Sequence, residues 1–275
     1  MKLRKFLRKV RNRRMSDVGT DYEYLKKKIL AITGVDLNAY KENQMKRRLD
    51  TLIRKHGFKD YVEYCESVKN DKDIREEFLG YMTINVSEFY RNPDQWEFLD
   101  KTVIPELINR FGKDLKIWSA ACSTGDEPYS LVMALSRHLP LNRIKIYATD
   151  IDNQILAQAK NGIYSDKSIK GVPADLLEKY FEKVGASYKI KDEIKSRVEF
   201  IQANLLDKNY PTGFNMIVCR NVLIYFTEEA KDDVFRRFHD SLVPNGVLFI
   251  GSTEQIVNYR EMDFSRKNSF FYERN

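Results

Sequence analysis

Histidine and cysteine are scarce in this sequence. The 275 residues include three His and three Cys, and none of them falls in a C-x-x-C or H-x-x-x-H spacing. Such spacings are typical of zinc sites and of redox or disulfide pairs, so the sequence predicts neither a structural metal site nor a disulfide framework, and it indicates a reducing compartment. With three histidines, the sequence offers few candidates for the base of a nucleophilic triad. We expect all three histidines to be structural or exposed.

Long apolar runs are missing as well. No stretch reaches the roughly 18 apolar residues that a membrane-spanning helix requires. The basic N-terminus lacks the apolar segment of a secretory signal. We therefore predict a cytoplasmic protein without a membrane span.

Positive charge is concentrated at the N-terminus. The formal net charge is +7, but residues 1–14 hold eight Lys or Arg and no acid, which leaves the rest of the chain near neutral. A neutral body argues against a nucleic-acid partner. We expect residues 1–19 to be a disordered or frayed extension. The alternative is a short amphipathic helix on an anionic membrane surface, since four apolar residues there have helical spacing.

Residues 20–90 are predicted to be helical, with no good strand pattern. The predicted helices are 21–33, 38–56, 59–69 and 73–82. The second of them carries a basic face opposite its apolar face. The basic residues are Lys46, Arg47, Arg48, Arg54 and Lys55. Such a face is either solvated or a docking surface for an acidic protein, because a clustered patch on a neutral body steers acidic partners.

After a further predicted helix at 93–111, strands and helices alternate from residue 115 onward, which is typical of a mainly parallel, doubly wound α/β sheet. The predicted strands are 115–119, 144–149, 198–202, 216–219 and 247–251. The predicted helices between them are 127–137, 153–160 and 228–242. Residues 188–190 and 198–200 alternate like exposed antiparallel strands, so we expect a small β excursion at about 183–200. Residues 270–272 are predicted to add an edge strand.

A polar turn, Ser123-Thr124-Gly125, connects the first predicted strand to a helix. In open α/β sheets, ligands bind at such carboxyl ends of strands. A dinucleotide site would need G-x-G-x-x-G, and here only Gly125 is present, so the ligand is expected to lack a pyrophosphate. Asp150 ends the next strand, 25 residues after Gly125. An acid in this position commonly accepts the hydroxyls of a ribose.

Two further strand ends carry polar groups toward the same edge. Asn204 and Leu205 follow the third predicted strand and would flank an adenine. Arg220 and Asn221 follow the fourth predicted strand, with Tyr225 four residues beyond Asn221. In a separate segment before the sheet, Asn85, Ser87 and Arg91 stand among aromatic residues, and we expect this segment to line a site. A ribose-binding acid without a phosphate loop best fits S-adenosyl-L-methionine among the common cofactors.

In this order and spacing, six segments resemble those of the chemotaxis receptor glutamate methyltransferases, the CheR family. They are YMTINVSEFYRN (81–92), WSAACSTGDEPYS (118–130), ATDID (148–152), ANLLD (203–207), CRNVLIYF (219–226) and VLFIGSTE (247–254). The resemblance covers about residues 20–275. It implies an all-α domain at 20–90 that docks on receptors, followed at 91–275 by a Rossmann-like methyltransferase domain with the β excursion.

The resemblance also implies a reaction. The enzyme would transfer a methyl group from S-adenosyl-L-methionine to glutamate carboxylates of chemoreceptors, leaving S-adenosyl-L-homocysteine and using no metal. The implied cofactor contacts are Asn85, Ser87, Arg91, Glu127, Asp150, Asn204, Leu205, Arg220 and Asn221. Arg91 and Tyr225 would lie beside the reacting methyl group, and the basic helix would dock on receptor helices.

One departure from the family concerns the β excursion. Its turn around Val184-Gly185-Ala186 is shorter than in members that grip a receptor's C-terminal pentapeptide, so we expect direct docking without a tether, by a monomer. Two other functions stay open. One is a methyltransferase for another substrate, and the other is a cofactor-binding signalling scaffold without turnover.

Overall fold

The computed structural model describes residues 18–83 and 87–275, with side chains from residue 22 onward. Residues 1–17 of the predicted extension and Asn85 therefore lie outside the described residues, whereas residues 18 and 19 belong to a helix. The chain divides into two compact units, with the boundary between Met82 and Thr83. No helix in the described ranges is both long and apolar enough to cross a membrane.

Within residues 18–82 the chain is helical, as predicted. The helices are α1 (Val18–Thr33), α2 (Glu42–Lys55), α3 (Tyr61–Asn70) and α4 (Lys72–Met82), with a 3₁₀ turn at Leu37–Ala39. Leu49 of α2, Tyr64 of α3 and Phe78 of α4 are buried in the core of this unit. Gly57 ends α2 with a φ of 73°, the left-handed conformation that glycine adopts at little cost.

The second unit is α/β. Its helices are α5 (Pro93–Phe98), which continues through a π-helical turn (Leu99–Val103) into α6 (Ile104–Phe111), then α7 (Asp126–Leu135), α8 (Asn153–Asn161), α9 (Asp166–Ile169), α10 (Ala174–Tyr180), α11 (Asp192–Lys195) and α12 (Glu228–Ser241). Its strands are β1 (Ile117–Ala120), β2 (Ile146–Asp150), β3 (Ile163–Ser165), β4 (Phe181–Val184), β5 (Ser187–Ile190), β6 (Val198–Gln202), β7 (Phe214–Cys219), β8 (Leu242–Ile250), β9 (Phe264–Arg266) and β10 (Phe271–Arg274). Short 3₁₀ turns lie at Leu141–Arg143 and Leu223–Tyr225.

In the described part of this unit, seven strands form the main sheet in the order β6-β2-β1-β7-β8-β10-β9. The first five are mutually parallel, whereas β10 runs antiparallel to both β8 and β9. The predicted mainly parallel sheet is therefore confirmed. The prediction of an edge strand at 270–272 is wrong, because β10 lies inside the sheet and β9 is the edge.

A second, antiparallel sheet has the order β3-β5-β4. The predicted β excursion therefore exists, but it occupies residues 163–190, and the assignment of 198–200 to it is wrong. β6 instead pairs in parallel with β2 at the edge of the main sheet. The Val-Glu-Phe alternation there comes from an edge strand with one half-buried face. The Phe200 ring packs 5.7 Å from the Tyr129 ring, and periodicity alone does not give strand direction.

The segment that leads into α5 belongs to the second unit. The Phe89 ring is fully buried and makes edge contacts with Tyr164 at 4.7 Å and Phe181 at 5.3 Å between centroids. The predicted domain boundary after residue 90 thus falls inside this unit. The segment is held against the small sheet, and it delivers Arg91 to the region described next.

Candidate cofactor site

The Ser123-Thr124-Gly125 turn connects β1 to α7 in a strained conformation. Gly125 has a φ of 86°, and a Cβ there would lie 3.0 Å from Ala159 Cβ and 3.1 Å from Tyr129 Cε2. Ala121 and Ser123 also have positive φ, at 59° and 48°. Non-glycine residues rarely adopt this conformation, and such strain clusters at functional sites. The turn is therefore closely packed from behind, and its shape leaves no room for a side chain at Gly125.

Asp150 ends β2 beside this turn. Its carboxylate accepts hydrogen bonds from the Ser123 N–H at 2.9 Å and the Asp152 N–H at 3.1 Å, and the residue is 5% exposed. Burial raises its pKa, and the backbone N–H groups oppose that effect. The Ile151 N–H also lowers the pKa of Asp150, so three contacts are made to a carboxylate with about four lone-pair sites. Asp150 therefore keeps acceptor capacity for a further hydroxyl group, and its role as a ribose contact stays a prediction.

Glu127 points back toward the sheet from the first turn of α7. Ser119 Oγ donates a hydrogen bond to its Oε1 at 2.8 Å, and Arg220 Nη1 lies 4.0 Å from its Oε2. Burial raises the pKa of Glu127 from 4.5 to about 7, with Arg220 and then Ser119 as the strongest opposing influences. The side chain is 13% exposed. Glu127 is thus a poorly solvated acid whose ionised form would favour a cationic ligand.

Arg220 connects the end of β7 to the segment that carries Arg91. Its Nη2 donates to the Arg91 carbonyl at 2.7 Å, to Gln95 Oε1 at 2.8 Å and to Asn92 Oδ1 at 3.2 Å. The guanidinium also lies 4.7 Å from the Phe249 ring centroid, and burial lowers its pKa. Arg220 therefore organises the protein around the site, and its role as a cofactor contact stays a prediction.

Arg91 is half-buried and lies close enough to act on both of these charged groups. Its charge lowers the pKa of Glu127 and also that of Arg220. The structure thus brings Arg91, Glu127 and Arg220 together, as the resemblance implies.

Asp126 was not predicted and proves to be a central anchor. It is fully buried, and its carboxylate accepts hydrogen bonds from the hydroxyls of Ser87, Thr124 and Ser168. Ser87, which the sequence assigns to the cofactor, is therefore tied to the polar turn through this acid. Its position directly after Gly125, at the start of a helix, was the available signal, because acids are favoured in the first helical turn.

Asn204 and Leu205 lie beside Asp150. The preceding residue, Ala203, donates its N–H to the Asp150 carbonyl at 3.0 Å, and the Asn204 side chain accepts the Leu206 N–H at 2.9 Å. Both predicted residues border a largely apolar cavity of about 140 Å³. The cavity is also lined by the aromatic residues Trp118, Tyr147, Tyr210 and Phe214.

Asn221 and Tyr225 flank the turn that follows β7. Asn221 has a φ of 61°, and its Oδ1 is buried without a hydrogen-bond partner among the described residues. Tyr225 is half-buried at the end of the 3₁₀ turn. The backbone of this turn is held by Glu254. Sequence reasoning missed this residue because it lies in the loop after β8, 33 residues beyond Asn221.

The basic residues of α2 divide into two groups. Arg47 and Arg54 are exposed, and so is Lys55, whose side chain is 68% exposed although its Nζ lies 3.0 Å from Glu77 Oε1. Arg48 instead donates to the Tyr81 carbonyl, and Lys46 is half-buried. The three exposed residues are therefore the part of the predicted docking surface that is presented to solvent.

Comparison with known proteins gives two family matches. The all-alpha domain of CheR methyltransferases matches residues 20–83, and the SAM binding domain of CheR methyltransferases matches residues 85–270. A chemotaxis protein methyltransferase of Listeria innocua is 40% identical over 93% of this chain and 98% of its own. Chemotaxis protein methyltransferase 1 of Pseudomonas aeruginosa is 36% identical over 89% and 93%, and the Escherichia coli chemotaxis protein methyltransferase is 31% identical over 87% and 85%.

The likeness to solved structures is weaker. A TehB-like SAM-dependent methyltransferase of Corynebacterium glutamicum, 16% identical, covers 66% of this chain and 93% of its own with a TM-score of 0.37, which is too low to add to the argument. The two family matches, which together span nearly the whole chain, decide the matter. The chain belongs to the CheR family of S-adenosylmethionine-dependent chemotaxis protein methyltransferases.

Proposed function

We propose that this protein methylates glutamate side chains in the cytoplasmic helical region of chemoreceptors and forms glutamyl methyl esters. Membership of the chemotaxis methyltransferase family supports the reaction class and the receptor substrate. The observation that carries the proposal is the pair of buried acids, Asp150 and Glu127, on either side of a polar turn without a phosphate loop. This arrangement suits a ligand with ribose hydroxyls and positive charge.

The described residues fit S-adenosyl-L-methionine. Asp150 would accept from the ribose hydroxyls, and Asn204 and Leu205 would flank the adenine. The buried, unpartnered Oδ1 of Asn221 and the ionised form of Glu127 would hold the ammonium group of the amino-acid portion. The predicted contacts Ser87, Arg91 and Arg220 complete the set, and Asn85 is proposed from the resemblance alone.

When bound, the cofactor would supply an electrophilic methyl group on a sulfonium. A substrate carboxylate oxygen would form a bond to this methyl carbon in line as the carbon–sulfur bond breaks, and S-adenosyl-L-homocysteine would leave. A glutamate carboxylate with a pKa near 4.3 is already ionised at neutral pH, so the reaction needs no general base. This agrees with the scarcity of histidine. The work of the protein is then to orient the carboxylate and to remove water from it.

Two residues are proposed to act on the substrate. Arg91 would hold the carboxylate through its planar donor fork, and the Tyr225 hydroxyl would donate a hydrogen bond to the same group. Purely cofactor contact is the competing role for Arg91. A receptor helix would dock on the basic face of α2, chiefly on Arg47 and Arg54, without a pentapeptide tether. We propose a cytoplasmic, monomeric enzyme without a metal.

The test uses a radiolabelled methyl donor and a chemoreceptor cytoplasmic fragment. Base-labile label should appear on the receptor and vanish when its acceptor glutamates are replaced by glutamine. Label on RNA or on a small molecule would refute the proposed substrate. If calorimetry shows that the protein binds the donor and the product but no label is transferred, the protein is a cofactor-binding scaffold. The Asp150→Asn variant serves as the control for cofactor-dependent labelling.

A further inference from the structure

The carboxylate of Glu254 is enclosed by backbone N–H groups from two segments. Its Oε2 accepts from Gly251 at 2.8 Å and from Asn221 at 2.9 Å, and its Oε1 accepts from Val222 at 2.9 Å and from Leu223 at 2.8 Å. The residue is 4% exposed. Hydrogen bonds to an ionised acceptor are stronger than neutral ones, so this carboxylate is a firm anchor between the ends of β7 and β8.

The backbone around Asn221 is shaped to receive such an anion. Asn221 is left-handed, with a φ of 61°, and Val222 follows in the right-handed region, with a φ of −113° and a ψ of −47°. Alternation of this kind aims successive N–H groups at one point and forms an anion-binding nest. A left-handed non-glycine residue costs free energy, and the bonds to Glu254 offset this cost.

Gly251 lets the two segments come together. A Cβ at this position would lie 2.7 Å from the Asn221 backbone nitrogen and 2.7 Å from Glu254 Oε2. These distances are too short for any side chain, so even alanine would push the carboxylate and the Asn221 loop apart. The glycine is thus required by close approach rather than by an unusual φ.

The loop that Glu254 holds, Asn221-Val222-Leu223, lies between groups of the proposed methyl-transfer site. Arg220 comes directly before this loop, and Asn221 is its first residue. The 3₁₀ turn that bears Tyr225 begins at Leu223. We infer that Glu254 is a positioning residue of this site: its carboxylate fixes the nest and thereby aims Arg220, Asn221 and Tyr225. The inference rests on the proposed function, because those side chains are assigned to cofactor and substrate there.

Glu254→Gln is the first test in the full-length chain. The amide would turn an NH₂ group toward two N–H donors, so two of the four acceptor contacts are lost together with the charge. We expect affinity for S-adenosyl-L-homocysteine, measured by calorimetry, to fall by about tenfold or more. The charge of Glu254 also raises the pKa of Glu127. The pH midpoint of product affinity should therefore move to lower pH in this variant.

Gly251→Ala is the second test, because it moves the carboxylate and keeps its charge. It should reproduce the loss of affinity with a smaller shift of the pH midpoint. Glu273→Gln is the matched control. Glu273 lies on β10 and pairs with Arg110 and Lys267, so its loss perturbs an ion-pair network of the same unit without touching the loop, and product affinity should be unchanged.

The outcomes separate the inference from the proposed function. Wild-type protein that binds no S-adenosyl-L-homocysteine would refute both. If the wild-type protein binds S-adenosyl-L-homocysteine, and Glu254→Gln binds it with the same affinity and the same pH midpoint, the inference is refuted and the proposed function is not. If Glu254→Gln does not fold, Gly251→Ala decides: retained affinity in that variant overturns the positioning role, and a loss of affinity in a folded protein supports it.

Discussion

Glu127, a proposed cofactor contact, is expected to destabilise the folded protein when it is ionised, and this can be measured with Glu127→Gln. Burial holds the folded-state pKa of Glu127 at about 7, against 4.5 for an unperturbed side chain. The carboxyl group's contribution to stability is therefore fully present below about pH 4.5 and is lost as pH rises through about 7. Without cofactor, the ionised form in the folded state costs roughly 3 kcal/mol.

Glutamine removes this pH dependence and keeps the hydrogen bond from Ser119, which can still donate to an amide oxygen. Between about pH 5.5 and about pH 8, the free energy of unfolding of Glu127→Gln should rise by about 2 kcal/mol relative to wild type. The assay is urea unfolding followed by tryptophan fluorescence. Both tryptophans, Trp96 and Trp118, lie in the second unit, so the signal reports the unit that contains Glu127.

The stabilised variant should at the same time bind S-adenosyl-L-methionine less tightly, because the neutral amide offers no charge to a cationic ligand. Glu182→Gln, a change on the exposed surface of the small sheet, is the control and should follow the wild-type pH dependence. If Glu127→Gln is destabilised by the same amount at both pH values, Glu127 acts through its hydrogen bond alone, and the reasoning from its desolvated charge is refuted.

Four further variants probe the turn, the ribose contact, the docking face and the substrate contact. Gly125→Ala should cost at least about 1 kcal/mol of stability, because alanine resists a positive φ, and it should weaken cofactor binding; an unchanged urea midpoint would contradict this. Asp150→Asn should lower cofactor affinity roughly 10- to 100-fold by calorimetry, since bonds to charged groups are the strong ones. Arg47→Glu with Arg54→Glu should slow receptor methylation and leave cofactor affinity intact; equal losses would indicate misfolding. Arg91→Lys should raise the KM for receptor more than the Kd for cofactor if Arg91 orients the substrate, whereas the reverse order would assign it to the cofactor.

The parts of the fold that were predicted correctly are those that depend on the residue types within a single short segment. Asp150 ends β2, and Asn204 follows β6, because an apolar run gives way to polar residues at each place. Parallel pairing of β6 with β2 and of β2 with β1 then brings these ends to one edge of the sheet. Strand ends and their residue types are local properties, and the doubly wound rule supplies the juxtaposition.

The errors arise where pairing partners decide the structure. Residues 198–200 alternate in a way that fits either an exposed antiparallel strand or a parallel edge strand with one packed face, and only β2 as a neighbour distinguishes them. Residues 270–272 are flanked on the outer side by β9, a strand of three residues that gives little periodic signal. Neither direction nor edge position is encoded in the strand itself.

The assignment of roles within the site depends on the same kind of long-range contact. From the sequence, Arg91 and Arg220 were two arginines near one cleft, both implied as cofactor contacts. The structure buries the Arg220 side chain to 3% exposure and commits its Nη2 to three acceptors in residues 91–95. A guanidinium held in this way cannot turn to follow a substrate. We therefore expect Arg91, which is half-buried on the segment that Arg220 holds, to be the one of the two that meets the proposed glutamate carboxylate, with Arg220 as its support.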